Sequence, residues 1–167
     1  GTIQQRMYSI TRVADPDLIE IAVKGSGRNS VSDHLHATLR EGMSVPLQYV
    51  AGEISVDSIV GYQRIAMIAG GIGITLPIAL LRELAARAQD GLPVPQVHLL
   101  LSIARIADIP FLHELLQLDL GTSWFTLTVF VTQEKIRESA HFKVGRPSFE
   151  NMEQLKDPQA VVICGSH

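Results

Sequence analysis

Apolar and polar positions follow two different rhythms along this chain. Over its first third the apolar runs are short and turn-bounded. Residues 7–13 read as a strand, and residues 18–24 as a second with alternating apolar positions. Asp15-Pro16-Asp17 lies between them as a turn signal, so the two are expected to pair as a hairpin. Residues 24–29 form a loop rich in Gly and Ser. Val31, Leu35 and Leu39 then recur at helical spacing, which predicts a helix over 31–40 closed by Gly42. Residues 44–50 read as a strand.

From Arg64 onward, strand-like runs alternate with helical ones. Strands are expected over 65–69, 97–102, 125–132 and 160–164. Helices are expected over 75–89 (closed by Asp90-Gly91), over 109–118 (closed by Gly121) and, short, over 149–155. Such alternation predicts a parallel sheet with helices on both faces and right-handed crossovers. The two rhythms define domains over 1–60 and 61–167, with a linker at 57–63.

Composition narrows the class. Hydrophobic residues make up 46% of the 167 and charged residues 19%, which suits a folded core and not a disordered chain. The formal net charge of -3, without a basic block, argues against nucleic acid or an anionic membrane as partner. Residues 65–81 carry no charge, yet Gly70, Gly71, Gly73 and Pro77 break them into a strand, a turn and a helix, so no membrane span is expected. The single cysteine, Cys164, cannot form an internal disulfide or hold an iron–sulfur cluster. A reducing, cytoplasmic setting fits, and no signal peptide is visible at the start.

Four stretches could carry chemistry. In Ala69-Gly70-Gly71-Ile72-Gly73-Ile74-Thr75 a buried strand meets a glycine cluster and a new helix. That arrangement lets a ligand approach the backbone and offers it free N–H groups, although a tight packing turn would read the same way. Arg6-Met7-Tyr8-Ser9 places a cation and an aromatic on one strand face and a hydroxyl on the other. Gly27-Arg28-Asn29-Ser30-Val31-Ser32 precedes a helix, with Ser30 as its N-cap, and could meet a phosphate. Cys164-Gly165 ends the last strand. His34 and His36 lie two apart on a helix, which is poor ligand geometry. With His113 and His141 they read as surface or packing residues, and no metal site is expected.

In this order, the four stretches resemble motifs of the ferredoxin reductase family of flavin and nicotinamide oxidoreductases, in particular the small reductases that feed oxygenases. The likeness spans nearly the whole chain. It implies a Rossmann-like α/β nucleotide-binding domain preceded by a partial antiparallel β-barrel domain that binds flavin. Arg6-Met7-Tyr8-Ser9 resembles the family's Arg-x-Tyr-Ser/Thr motif. The resemblance gives Arg6 the flavin phosphate, Tyr8 the flavin ring and Ser9 the neighbourhood of flavin N5. Ile21-Ala22-Val23-Lys24 and the loop to Ser32 resemble the second flavin segment, making Asn29, Ser30, Val31 and Ser32 phosphate candidates. Gly70-Gly71-Ile72-Gly73-Ile74-Thr75 resembles Gly-Gly-x-Gly-x-Thr-Pro, whose glycines and threonine face the nicotinamide cofactor. Arg105 in Ser102-Ile103-Ala104-Arg105 and Thr132 in Phe130-Val131-Thr132 correspond to adenosine-side positions. Gly145-Arg146-Pro147 is a frequent element of the family, and Cys164-Gly165 resembles its Cys-Gly beside the nicotinamide. Leu76 intervenes before Pro77, and Ser166 stands where the family has proline. The chain opens at the flavin motif and stops after Cys-Gly, so it reads as partial at both ends.

The resemblance implies hydride transfer from NAD(P)H to flavin N5 where the two domains meet, with Ser9, Thr75 and Cys164 at the reacting rings. Electrons would then pass to a separate acceptor such as a [2Fe-2S] protein. FAD is expected, with FMN as the alternative. Glu134 would repel a 2′-phosphate, which favours NADH, whereas Arg105 and Lys135 keep NADPH open. The competing reading is a non-catalytic domain that keeps the fold and binds a nucleotide or a partner subunit.

Overall fold

The computed structural model describes residues 5–15, 17–148, 150–151 and 157–165. The chain divides into compact units at residues 1–54 and 55–167.

In the first unit, β1 (Ile10–Asp15) and β2 (Leu18–Ile21) form the expected antiparallel hairpin, with Ile10 opposite Ile21 and Asp15 opposite Leu18. The first strand starts later than its apolar run suggests, leaving residues 7–9 outside the sheet. Helix α1 (Val31–Thr38) begins where its cap predicts but stops short of residue 40. The Thr38 hydroxyl donates to the His34 carbonyl at 2.8 Å, and Leu39 turns extended. Residues 44–50 are not a strand. Pro46 interrupts them and offers no N–H to a ladder.

The second unit holds a five-stranded sheet in the order β6-β5-β4-β3-β7, parallel throughout. Its strands are β3 (Arg64–Gly70), β4 (Gln96–Ile103), β5 (Phe125–Val131), β6 (Phe142–Val144) and β7 (Ala160–Cys164). Helix α2 (Thr75–Gln89) links β3 to β4, and α3 (Leu112–Gly121) links β4 to β5. One core joins Met67, Leu99, Leu101, Leu127 and Val129 of the central strands to Ile78, Leu81 and Leu84 of α2 and Leu115 of α3. Both helices therefore pack on one sheet face. Successive right-handed crossovers that move in one direction along a sheet must land on the same side. The opposite face has a small buried cluster of Ala66, Leu100 and Phe130.

Several expectations change here. The expected linker over 57–63 belongs to the second unit: Val56–Ser58 form a 3₁₀ turn, and Ile59 is buried in the large core. The helix expected over 109–118 begins at Leu112. Pro110 biases Ile109 toward extended backbone (φ -84°, ψ 107°), and Phe111 takes a left-handed conformation at φ 62° before the helix can start. The edge strand β6 had no sequence signal. Of the short helix expected over 149–155, Glu150 and Asn151 are helical and the remainder lies outside the described residues. No described helix is long and apolar enough to cross a membrane.

Candidate functional site

The chain reverses its direction across the sheet at β3. From β3 it runs outward to β4, β5 and β6, and then returns to add β7 on the far side. Ligands of open α/β sheets bind beyond the carboxyl ends of the strands at such a switch point. Here that position is occupied by Gly70-Gly71-Ile72-Gly73 after β3 and Cys164-Gly165 after β7.

Why glycines stand there can be read from the packing. Gly71 has a left-handed φ of 54°, which a side chain would strain. Gly73 is buried against β7. A Cβ there would collide with the Cys164 carbonyl group and lie 2.7 Å from Gly165 Cα. A Cβ on Gly165 would in turn sit 3.3 Å from the Gly70 nitrogen. Gly73 and, less tightly, Gly165 thus let two strand ends close on each other. Gly73 serves this junction whatever else it faces.

Residues 71–74 make a 3₁₀ turn that leads into α2. Thr75 is 6% exposed, and its hydroxyl donates to the Ile72 carbonyl at 3.0 Å, closing the turn. That oxygen keeps its lone pairs as acceptors. Pro77 sits buried in the first helical turn, where no intrahelical N–H is required of it, so the displacement by Leu76 leaves the helix intact. Cys164 is a free, half-buried thiol paired opposite Ala69. Arg105 lies exposed just past β4. Thr132, just past β5, spends both its N–H and its hydroxyl on the Ile103 carbonyl, at 2.9 and 3.0 Å. Glu134 accepts from the Ile106 N–H at 2.9 Å, which pins its carboxylate beside the segment after Arg105.

In the first unit, two separate motifs meet. The Tyr8 hydroxyl and the Ser32 hydroxyl are 2.8 Å apart, so the Arg6-Tyr8-Ser9 segment is tied to the start of α1. Arg6 and Ser9 are exposed, and the Arg6 guanidinium donates only to the neighbouring Gln5 carbonyl, at 3.0 Å, among the contacts described. Ser30 caps α1, and a reciprocal bond runs from the Ser30 N–H to Asp33 at 2.9 Å. Asn29 is left-handed at φ 54°. The Asp33 carboxyl is held well below the ordinary carboxylate range, chiefly by the Ser30 and Gly27 amides that donate to it.

Sequence reasoning passed over two groups. Asp33 is one; a Ser-x-x-Asp spacing after a Gly/Ser loop is the signal that would have found it. The other is Asp119, which accepts from the Leu127 N–H at 2.8 Å and lies 2.6 Å from His141 Nε2. It ties α3 to β5 and to the approach to β6. His98, bonded to the Thr128 hydroxyl at 2.9 Å, has its pKa lowered by burial, against an opposing pull from Asp119. His36, whose Nε2 lies 3.0 Å from the Val23 carbonyl, braces its loop as His98 and His141 brace the sheet, whereas His34 and His113 are exposed. Among the described residues no cluster of three metal-ligating side chains occurs.

A parallel sheet with a glycine turn at its switch point defines a dinucleotide-binding class of α/β domain. The sequence model of the ferric reductase NAD-binding domain matches residues 62–157, more than half the chain. The chain belongs to that family, and with it to the ferredoxin reductase-like flavin and nicotinamide oxidoreductases. It is 32% identical over 153 residues to flavohemoprotein A of Dictyostelium discoideum, covering 87% of this chain and 34% of that protein. It is 32% identical over 95 residues to a flavohemoprotein of Deinococcus radiodurans, covering 57% and 23%. The chain thus spans about a third of one of these relatives and less than a quarter of the other. The fold matches the flavohem-like FAD/NAD-binding domain of nitric oxide dioxygenase from Vibrio cholerae (TM-score 0.65, 18% identity, 96% of this chain and 77% of that one). It also matches the CS-b5R domains of human Ncb5or (TM-score 0.67, 15% identity, 93% and 47%).

Proposed function

We propose that this chain carries a flavin half-site and a nicotinamide-nucleotide half-site of an NAD(P)H-dependent flavin oxidoreductase, with FAD as the flavin and NADH as the donor. The supporting observation is the close junction of Gly73 with Cys164-Gly165 at the switch point of a parallel sheet, in a chain of this family. Bound flavin would supply hydride acceptance and release of single electrons.

The protein's own part is binding and orientation. Gly70 and Gly71 keep the carboxyl end of β3 bare of side chains, so that a nicotinamide can approach backbone there, and Gly73 lets β7 close beside it. Thr75 offers acceptor lone pairs there, and Cys164 lines the β7 side. Arg105 supplies a cation to the nucleotide's phosphates, and Thr132 marks the adenosine end. The pinned Glu134 carboxylate places negative charge where a 2′-phosphate would need a cation, which favours NADH. In the first unit, Arg6 and the Asn29–Ser32 segment receive the flavin phosphates, Tyr8 packs on the ring and Ser9 lies toward N5.

Electrons would pass on to a haem or a [2Fe-2S] centre; one cysteine cannot hold a cluster, so a [2Fe-2S] acceptor would lie outside these 167 residues. Flavohemoprotein relatives favour haem.

The test is reconstitution. Protein incubated with FAD or FMN should gain the visible flavin spectrum and bleach anaerobically on addition of NADH, more readily than with NADPH. Protein that takes up neither flavin, yet still binds NADH, would support the non-catalytic alternative.

A further inference from the structure

Asp33 makes more polar contacts than any other side chain of the first unit for which contacts are described. One carboxylate oxygen accepts from the Ser26 N–H at 2.6 Å and the Gly27 N–H at 2.9 Å. The other accepts from the Arg28 N–H at 3.0 Å and the Ser30 N–H at 2.9 Å. The Ser26 and Ser30 hydroxyls add bonds of 2.9 and 3.0 Å. Gly27 at φ 69° and Asn29 at φ 54° are left-handed, and successive amides in such a path converge on one point. A Cβ on Gly25 would press on the same carboxylate at 3.2 Å, so that position too is fitted to it.

We propose that Asp33 is the positioning residue of the flavin-phosphate loop. Its carboxylate gathers the four amides of residues 26–28 and 30 and so fixes where the first turn of α1 and Ser32 meet a phosphate. This rests on the flavin reading above. A loop of this kind would normally give its converging amides to an anionic ligand. Here the chain supplies its own anion, and those donors are already engaged. A phosphate must therefore be met by groups that Asp33 does not use: the first amides of α1, the Ser32 hydroxyl, and the cations of Arg6 and Arg28. Without Asp33, the amides would turn to water and the left-handed residues would relax, which scatters the phosphate contacts and leaves the isoalloxazine contacts alone.

The experiment compares flavins with and without phosphate on the whole chain. Asp33→Ala should weaken FAD and FMN binding by about tenfold or more, the scale of lost charge-assisted contacts, and leave riboflavin affinity unchanged. Asp33→Asn keeps one acceptor oxygen and should fall between Asp33→Ala and wild type. In flavin-free protein, amide exchange at Ser26, Gly27 and Arg28 should speed up in Asp33→Ala. Equal losses for FMN and riboflavin would reduce Asp33 to a general structural role and overturn the proposal. So would tighter FMN binding, which would mean the carboxylate merely blocks the loop, or unchanged amide exchange. If wild-type protein binds no flavin at all, the function reading fails, while the amide exchange still decides whether Asp33 organises the loop.

Discussion

The two units hold their candidate sites by different physics. At the end of β3, the glycine turn rests on a sheet whose central residues, Met67, Leu99 and Leu101, are completely buried. Position there is set by close packing, which resists any change of volume. In the first unit, α1 has no buried residue and β2 is exposed along its length. Its Ser26–Ser32 loop is held by a carboxylate, hydroxyls and amides. A packed site is expensive to disturb anywhere beneath it. A hydrogen-bonded site fails only where a bond is cut, and then mildly.

Substitutions can break or sharpen this contrast, and Trp124, the only tryptophan and 8% exposed in the second unit, reports on the packed side alone. The largest effect is expected from Leu99→Ala, which opens a cavity under β4 and should cost about 2–5 kcal/mol in urea unfolding followed by Trp124 fluorescence. Gly73→Val comes next. Its side chain enters the space of Cys164 and Gly165, and overpacking of this kind costs about 1–3 kcal/mol. The same variant should lose NADH-driven flavin reduction while retaining flavin. A Gly73→Val protein as stable and as active as wild type would remove the packing argument. Tyr8→Phe cuts the single bond to Ser32 and should cost about 1 kcal/mol, seen as faster amide exchange near Ser32 with the Trp124 transition unmoved.

The smallest effect is on pH dependence. His98 has its pKa lowered from 6.5 by burial, so the unfolded chain binds a proton near that pH which the native chain refuses. The second unit should then lose stability as pH falls through 6.5 toward the lower native value, and stay level above it. His98→Gln should flatten that slope, and an unchanged slope would mean that another group titrates there.

What the residues foretold follows the same division. Helix α2 was legible to both ends, because the glycine cluster, the apolar period and Asp90-Gly91 all act locally; Gly91 is left-handed at φ 72° and its N–H donates to the Ala88 carbonyl at 3.1 Å. The start of α3 was not, since Pro110 and the left-handed Phe111 override an apolar period that runs straight through them. Strand β6, three residues on a sheet edge, exists through its pairing with β5 and has no pattern of its own. In the site, the glycine, cysteine and Arg-x-Tyr-Ser segments were recognisable as motifs. Their partners were not. The closeness of Tyr8 to Ser32, of Gly73 to Cys164 and of Asp119 to His141 joins residues far apart in the chain, and no local rhythm encodes it.

The place of β7 has a consequence for how the molecule comes together. Strands β3 to β6 follow one another in the chain and can associate as each is made. The pairing of Ala69 with Cys164 must wait while nearly a hundred intervening residues find their places. Contacts of such long sequence separation form slowly, because loop closure precedes the reward. The junction at the switch point is therefore among the last parts of the second unit to mature on the ribosome. An intermediate lacking β7 would show one flank of β3 as an open edge, able to accept a strand from another molecule.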